Sequence, residues 1–191
     1  MTRQIVAVTG ISGVGKSTLL HALQSEISFQ HLNASGLIQQ AREQSDHGTI
    51  ALDELRNANI EQNQQLLVRG FHSSVDPDAS LVVLDGHTLI DREDRVILIS
   101  PAVFESIGIE RLAVLTDDPA AIHSRRMKDS ARRRPDRTIE RLSELQATAC
   151  EHAVTISRML KIPLLSANVA ERDAVQRWLL LQAPFREALH R

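Results

Sequence analysis

Cysteine, aromatic residues and long apolar runs are scarce in this sequence of 191 residues. Cys150 is its one cysteine, so the chain cannot form an internal disulfide, as is typical of proteins in a reducing cytoplasm. No apolar run approaches the roughly 18 residues that a membrane-spanning helix needs. Arg3 is followed at once by an apolar, β-rich run, without the layout of a signal peptide. We therefore expect a cytoplasmic protein that does not bind a membrane.

An excess of charge of one sign is also missing. The formal net charge is −2, charged residues make up 24% of the chain and hydrophobic residues 42%. This composition suits one globular domain, and we predict a single domain over 1–191. A net negative charge argues against a general nucleic-acid binder. The oligomeric state stays open, and a homo-oligomer is compatible with the sequence.

One motif stands out near the N-terminus. Residues 10–17 read Gly-Ile-Ser-Gly-Val-Gly-Lys-Ser and fit the phosphate-binding loop pattern G-x-x-x-x-G-K-[ST]. In such a loop, backbone N–H groups surround a polyphosphate, and glycines permit their close approach. We expect Lys16 between the β- and γ-phosphates and the Ser17 hydroxyl on Mg²⁺. The residues predicted to bind the nucleotide are Gly10, Ser12, Gly13, Val14, Gly15, Lys16, Ser17 and Thr18.

The surroundings of this motif predict an α/β fold. An apolar, β-rich run precedes the loop at 4–9, and a helical pattern follows at 18–25, which is the context that the motif requires. Four more strands are predicted at 30–33, 81–84, 112–115 and 162–166, with helical segments between them. Strands that alternate with helices form a parallel sheet with helices on both faces.

An acidic residue ends the third predicted strand. Residues 81–87 read Leu-Val-Val-Leu-Asp-Gly-His, and a buried parallel strand of this kind delivers a carboxylate to its C-terminal edge. We predict that Asp85 holds Mg²⁺ together with Ser17, directly or through water. The alternative is that Asp85 caps the following turn. His87 is either structural or in contact with substrate.

Two further segments bear on a second ligand. Ser35 and Gly36 follow the second predicted strand, where they either face that ligand or begin a helix over 37–44 with Ser35 as its cap. The amide-rich helical segment 52–71 contains Arg56, which either lies on a solvated surface or binds an anionic substrate.

A basic cluster spans residues 125–137, with six arginines and one lysine against two acids. It is either a solvated helix end, a nucleic-acid patch or a lid over the phosphates. The net charge and the lack of nearby aromatics argue against nucleic acid. Guanidinium groups match the oxygens of a transferring phosphoryl group, and a closed lid excludes water. We predict the lid, with Arg126, Arg132 and Arg134 near the phosphates.

In the order of these parts the chain resembles the nucleoside monophosphate kinases, most closely the archaeal-type adenylate kinases. The resemblance lies in the phosphate loop, Ser35-Gly36, Arg56, Leu84-Asp85-Gly86-His87 and the arginines of the basic cluster. It implies a three-layer P-loop NTPase fold with a five-stranded parallel sheet. It also implies a helical monophosphate-binding insertion at about 35–74 and a short arginine-rich lid at about 128–137.

The resemblance further implies ATP-dependent phosphoryl transfer to a nucleoside monophosphate, with ATP and Mg²⁺ as cofactors. The implied catalytic residues are Lys16, Arg126, Arg132, Arg134 and Asp85. Those implied to bind the acceptor are Ser35, Gly36, Arg56 and His87. Two alternatives stay open. One is transfer to a hydroxyl of a nucleoside or small metabolite, with Asp85 as the best-placed base. The other is a regulatory ATPase or nucleotide-switched binding protein.

Overall fold

The computed structural model describes residues 3–45, 59–129 and 134–181. The strands within these ranges are β1 (Gln4–Thr9), β2 (Gln30–Asn33), β3 (Leu81–Asp85), β4 (Leu89–Asp91), β5 (Val96–Leu98), β6 (Arg111–Thr116) and β7 (Leu164–Asn168). The helices are α1 (Lys16–Leu23), α2 (Ala34–Gln44), α3 (Ile60–Ser74), α4 (Pro101–Ile107), α5 (Pro119–Lys128), α6 (Ile139–Leu160) and α7 (Arg172–Leu180). None of these helices is long and apolar enough to cross a lipid bilayer.

Five of the strands form one sheet in the order β2-β3-β1-β6-β7. All four neighbouring pairs in it are parallel. The register aligns Val8 of β1 with Asp85 of β3, and Asn33 of β2 with the same Asp85. The carboxyl ends of the three strands therefore meet at one edge. This confirms the predicted five-stranded parallel sheet of a P-loop NTPase fold, with helices on both faces.

Alternating residues of the central strand supply two separate parts of the core. Val6 and Val8 pack in a cluster with residues of α1 and α7, such as Leu20 and Leu179. Ala7 packs in the other cluster, which includes Phe71 of α3 together with residues of α4. Successive side chains of a strand point to opposite faces, so β1 is covered on both sides, as its continuous apolar sequence requires.

Local structure departs from the sequence-based expectations in two places. Ser35 is not the cap of α2, which begins at Ala34: Asn33 caps the helix, and its Oδ1 accepts from Ser35 N at 3.1 Å and Gly36 N at 3.3 Å. The second is an antiparallel hairpin of β4 and β5, where no strand was expected from the sequence. Periodicity misses it because each strand has only three residues.

Part of the predicted insertion and lid falls on residues outside the described ranges. The helical segment expected over 52–71 appears as α3 from Ile60 onward, and Arg56 lies outside the described residues. The same holds for Arg132 in the basic cluster. In the described part of that cluster, Arg126 belongs to the last turn of α5, whereas Arg134 lies in a segment without regular secondary structure before α6.

Helix α3 lies unusually close to α2 at Gly70, and this contact is testable. A Cβ on Gly70 would lie 2.5 Å from the carbonyl oxygen of Leu37, so Gly70→Ala must push the helices apart. We expect it to lower the free energy of unfolding by about 1–3 kcal/mol, as overpacking does. Urea unfolding measures the change. Gly36→Ala is the matched control, because no atom lies within 4 Å of its added Cβ. Equal stabilities for the two variants would contradict the close approach.

Candidate active site

The phosphate-binding loop joins β1 to α1 in a shape that only glycine permits at Gly10. A Cβ on Gly10, whose φ is 149°, would lie 2.6 Å from the carbonyl oxygen of Leu115 on β6. Gly15 has a φ of 105° and directs the chain into α1. Left-handed backbone of this kind is readily adopted only by glycine. The loop is thereby held against the sheet, with the N-terminus of α1 at its end.

Lys16 is the buried cation of the loop, with 6% of its surface exposed. Its Nζ donates to the carbonyl oxygen of Gly10 at 3.0 Å and lies 3.9 Å from Asp85 Oδ1. The side chain therefore runs back over the loop, which is the position from which an ammonium group reaches bound phosphates.

Asp85 is the buried acid opposite this cation, and only 3% of it is exposed. Ser17 Oγ donates to its Oδ2 at 2.7 Å and Asn33 Nδ2 at 3.4 Å, while His31 Nε2 lies 3.6 Å away. Burial alone would raise the pKa of Asp85. The His31 ring, the Lys16 charge, the Ser17 hydroxyl and His87 outweigh burial and hold the pKa at about 2. Asp85 is therefore ionised at neutral pH.

The residues at this point fit a magnesium ion. Mg²⁺ prefers oxygen ligands and is usually held by one or two carboxylates, with phosphate oxygens and water completing the shell. Ser17 and Asp85 offer a hydroxyl and an ionised carboxylate oxygen that already lie in contact. No group of three or more His, Cys, Asp or Glu side chains suited to a metal occurs among the described residues.

Arginines of the basic cluster lie directly against the loop. Arg125 Nε donates to the carbonyl oxygen of Gly13 at 2.8 Å, and Arg126 Nε to that of Ser12 at 2.9 Å. Arg134 Nε donates to Ser12 Oγ at 3.0 Å, and its other end pairs with Asp129. The structure therefore places Arg126 and Arg134 against the phosphate loop, and their predicted role as a lid over the phosphates stays a prediction.

Two cavities open beside the loop, and we name them by their chemistry. The phosphate cleft is lined by Lys16, Ser17, Asp85, Arg125 and Arg134. The apolar pocket is enclosed mainly by α2, α3 and α4, and its walls include Ile38, Leu67 and Phe104. Four residues line both cavities: Ser12, Ala34, Ser35 and His87. A molecule in the apolar pocket therefore reaches the wall of the phosphate cleft.

Of the residues predicted to bind the acceptor, some line these cavities and others do not. Ser35 and His87 lie on the shared wall, and His87 Nδ1 is 2.6 Å from the carbonyl oxygen of Gly10. Gly36 lines neither cavity. Arg126 lines the apolar pocket and not the phosphate cleft.

Sequence reasoning missed several polar residues of the site. His31 and Asn33, on β2, face Asp85 because alternate residues of a strand point the same way. Asn63 and Gln64 line the apolar pocket from α3, and Asp91 lines it from the hairpin. The period of β2 and its predicted place in the sheet could have indicated the first pair. No local signal indicates the other three.

These features define a P-loop nucleotide-binding domain with a kinase-like fold. A family model described as an AAA domain matches residues 9–143, which is more than half of the chain. The chain therefore belongs to this AAA-domain family. No curated protein matches it.

Two solved structures share the fold over nearly all of the chain. The crystal structure of TT1252 from Thermus thermophilus has a TM-score of 0.54 and 17% identity, covering 96% of this chain and 100% of that one. Shikimate kinase from Bacteroides thetaiotaomicron has a TM-score of 0.56 and 16% identity, covering 93% of this chain and 99% of that one. At such low identity the likeness concerns the fold.

The low pKa of Asp85 makes the stability of the metal-free protein depend on pH. Its folded-state pKa of about 2 lies below its ordinary value of 3.8. Ionised Asp85 therefore stabilises the fold above about pH 4, by on the order of 2 kcal/mol, and this contribution is lost as the pH falls toward 2. We expect the stability difference between the wild type and Asp85→Asn to shrink over that range.

Guanidinium unfolding in the presence of EDTA, from pH 6 down to the acid limit of folding, measures this difference. Asp94→Asn is the control, because the Asp94 side chain is 68% exposed. A difference between the wild type and Asp85→Asn that stays constant with pH would contradict the prediction.

Proposed function

We propose that this protein transfers the γ-phosphoryl group of ATP·Mg²⁺ to a nucleoside monophosphate. The observation that carries the proposal is the shared wall between the phosphate cleft and the apolar pocket, formed by Ser12, Ala34, Ser35 and His87. A donor triphosphate in the cleft and an acceptor in the pocket would meet at this wall. Holding the donor and the acceptor next to each other in a fixed orientation is a large part of phosphoryl-transfer catalysis.

The donor side of the proposal rests on charge. Lys16 and Arg134 line the phosphate cleft, where they would neutralise the oxygens of the transferring group. Ser17 and Asp85 would hold Mg²⁺, which in this chemistry bridges the phosphates of the donor. Arg126 passes along the loop at Ser12 toward the apolar pocket, so its guanidinium is suited to the phosphate of the acceptor.

The acceptor side rests on the shape and lining of the apolar pocket. Its open volume of about 170 Å³ exceeds the space of a single water molecule several times, so it admits a ring-sized group. Apolar side chains such as Ile38, Leu67 and Phe104 suit the faces of a nucleobase, and the amides of Asn63 and Gln64 suit its polar edge. A small-molecule pocket with this balance of apolar walls and few polar groups is typical of specific recognition.

The acidity of Asp85 favours an acceptor that already carries an anionic oxygen. A hydroxyl acceptor requires a general base, and a good base has a pKa near the working pH. Asp85, with its pKa held at about 2, is a weak base and is better suited to the metal. A phosphate acceptor needs no deprotonation, so the site as built favours a monophosphate.

One observation favours transfer to a hydroxyl as the second candidate. A carbonyl oxygen only accepts hydrogen bonds, so His87 Nδ1 must be the donor to Gly10. In the neutral form of the ring the lone pair is then on Nε2, and His87 lines both cavities. The fold is also that of a structure named as a shikimate kinase, a likeness that leaves a small metabolite open as acceptor.

Lys16 provides the first test of the proposed chemistry. Lys16→Met removes the ammonium group that faces the donor phosphates, and we expect turnover to fall about 100-fold or more, as the loss of one preorganised charge does. The exposed Lys161→Met is the control and should keep wild-type turnover. Both are compared by initial rates of ADP formation and by thermal unfolding. Near-normal turnover in a folded Lys16→Met protein would contradict the assignment of the site.

A panel of acceptors tests the substrate class. We expect ADP formation from ATP·Mg²⁺ to be stimulated by at least one of AMP, CMP, UMP and dTMP, because these carry both a base for the apolar pocket and a phosphate for Arg126. The corresponding nucleosides and a set of sugar acids, including shikimate, should not stimulate it.

Each other outcome of this panel supports a different function. Stimulation by a nucleoside or sugar acid, with a large loss of rate in His87→Ala, would indicate transfer to a hydroxyl. ATP hydrolysis that no acceptor stimulates would indicate a regulatory ATPase. Either result would contradict the monophosphate as acceptor.

A further inference from the structure

The β4–β5 hairpin carries an acidic residue, Asp91, that connects the two ends of the basic cluster. Asp91 Oδ1 accepts two hydrogen bonds from Arg137, from Nε and from Nη2, each 3.2 Å long. Arg137 Nη2 also donates to the carbonyl oxygen of the next residue, Arg92, at 2.7 Å. Arg137 is therefore attached to the hairpin by its full guanidinium edge.

The second oxygen of Asp91 faces the other arginine. Asp91 Oδ2 lies 3.6 Å from Arg126 Nη1, and within the described ranges Oδ2 is buried and accepts no hydrogen bond. A separation of 3.6 Å is longer than a hydrogen bond, so this contact is an electrostatic one. Of the two contacts that Asp91 makes with arginine, the contact with Arg126 is the easier to exchange.

Arg126 is held at its other end independently of Asp91. Its Nε donates to the carbonyl oxygen of Ser12, and its stem packs on the loop so closely that a Cβ on Gly13 would lie 3.0 Å from Arg126 Cγ. The side chains of Arg126 and Asp91 are 8% and 10% exposed. The loop therefore holds the stem of Arg126 in place, so that its guanidinium end is able to exchange Asp91 for another anion.

This contact lies where the acceptor is expected. Asp91 and Arg126 both line the apolar pocket, and Ser12, which Arg126 contacts, lies on the wall shared with the phosphate cleft. An anionic group at that wall would approach Arg126 within the reach of the Asp91 charge. Two anions that share one buried guanidinium repel each other, and in a partly buried site water and salt screen this repulsion only weakly.

We propose that Asp91 is a positioning residue that acts through Arg126, and that its carboxylate competes with the anionic group of the acceptor for this guanidinium. The identity of that anion as the acceptor phosphate rests on the proposed function. The competition itself does not, because any small phosphate anion would experience it. The acceptor can therefore bind the guanidinium of Arg126 only by displacing the Asp91 carboxylate.

A double-mutant cycle with inorganic phosphate tests the competition without catalysis. The proteins compared by titration calorimetry are the wild type, Asp91→Asn, Arg126→Ala and the double variant. Asp91→Asn keeps an oxygen for Arg137 and removes the charge, so we expect phosphate to bind at least about threefold more tightly. In the Arg126→Ala background the same change should have no effect, because the shared partner is absent.

Matched controls separate this effect from a change of fold or of overall charge. Asp94→Asn removes one charge from the same hairpin at a 68% exposed side chain, and we expect it to leave phosphate affinity unchanged. If Asp91→Asn unfolds because Arg137 loses its counter-charge, Asp91→Asn with Arg137→Gln removes the pair together and is compared with Arg137→Gln alone.

Three results would overturn the competition: phosphate binding in Asp91→Asn that is no tighter than in the wild type, no measurable binding, or a gain that persists in Arg126→Ala. The first two results would leave Asp91 with support of the hairpin only, and the third would mean that its charge acts on phosphate independently of Arg126. With an acceptor in hand, the competition predicts a lower KM for the acceptor in Asp91→Asn without a higher kcat, which a scaffolding role would not produce. A negative result in the acceptor panel does not affect the double-mutant cycle measured with inorganic phosphate. The two proposals can therefore fail independently of each other.

Discussion

The close approach of the phosphate loop to the carboxyl edge of the sheet is the constraint on which the site depends. Parallel register aligns Val8 with Asp85, so the chain leaving β1 must pass the carboxylate at the end of β3. Gly10 allows that passage, because any side chain there would meet the carbonyl oxygen of Leu115. The position of Lys16 and Ser17 beside Asp85 follows from this packing of backbone on backbone.

The charges of the site hold one another in place. Asp85 is buried, which would favour its neutral form, yet surrounding donors and the Lys16 charge hold its pKa at about 2. The described arginines of the basic cluster are likewise bound, to carbonyl oxygens of the loop or to nearby aspartates. The cluster is thus part of the wall of the loop, which gives its members a structural task besides the one we propose in phosphoryl transfer.

The two cavities of the site differ in the chemistry of their linings. The phosphate cleft is lined by the loop, by Asp85 and by residues such as Arg125 and Arg134, and most of these side chains are polar. The apolar pocket is made by helices that come from distant parts of the chain and by the hairpin that carries Asp91. Because Arg126 reaches from the loop to this pocket, it links the two, and its contact with Asp91 bears on which anions the pocket accepts.

The residues alone were enough to predict the phosphate-binding loop, the alternation of strands and helices of a parallel α/β fold, and the acid at the end of β3. These features are encoded in contiguous residues whose local backbone preferences and apolar runs act over short distances. Only the tertiary structure decided that Asn33 rather than Ser35 caps α2, that Arg126 lines the apolar pocket, and that Asp91 contacts both Arg126 and Arg137. Most of these contacts depend on how separate helices, strands and loops pack together. Local periodicity cannot predict them, because it depends only on residues that are near one another in the chain.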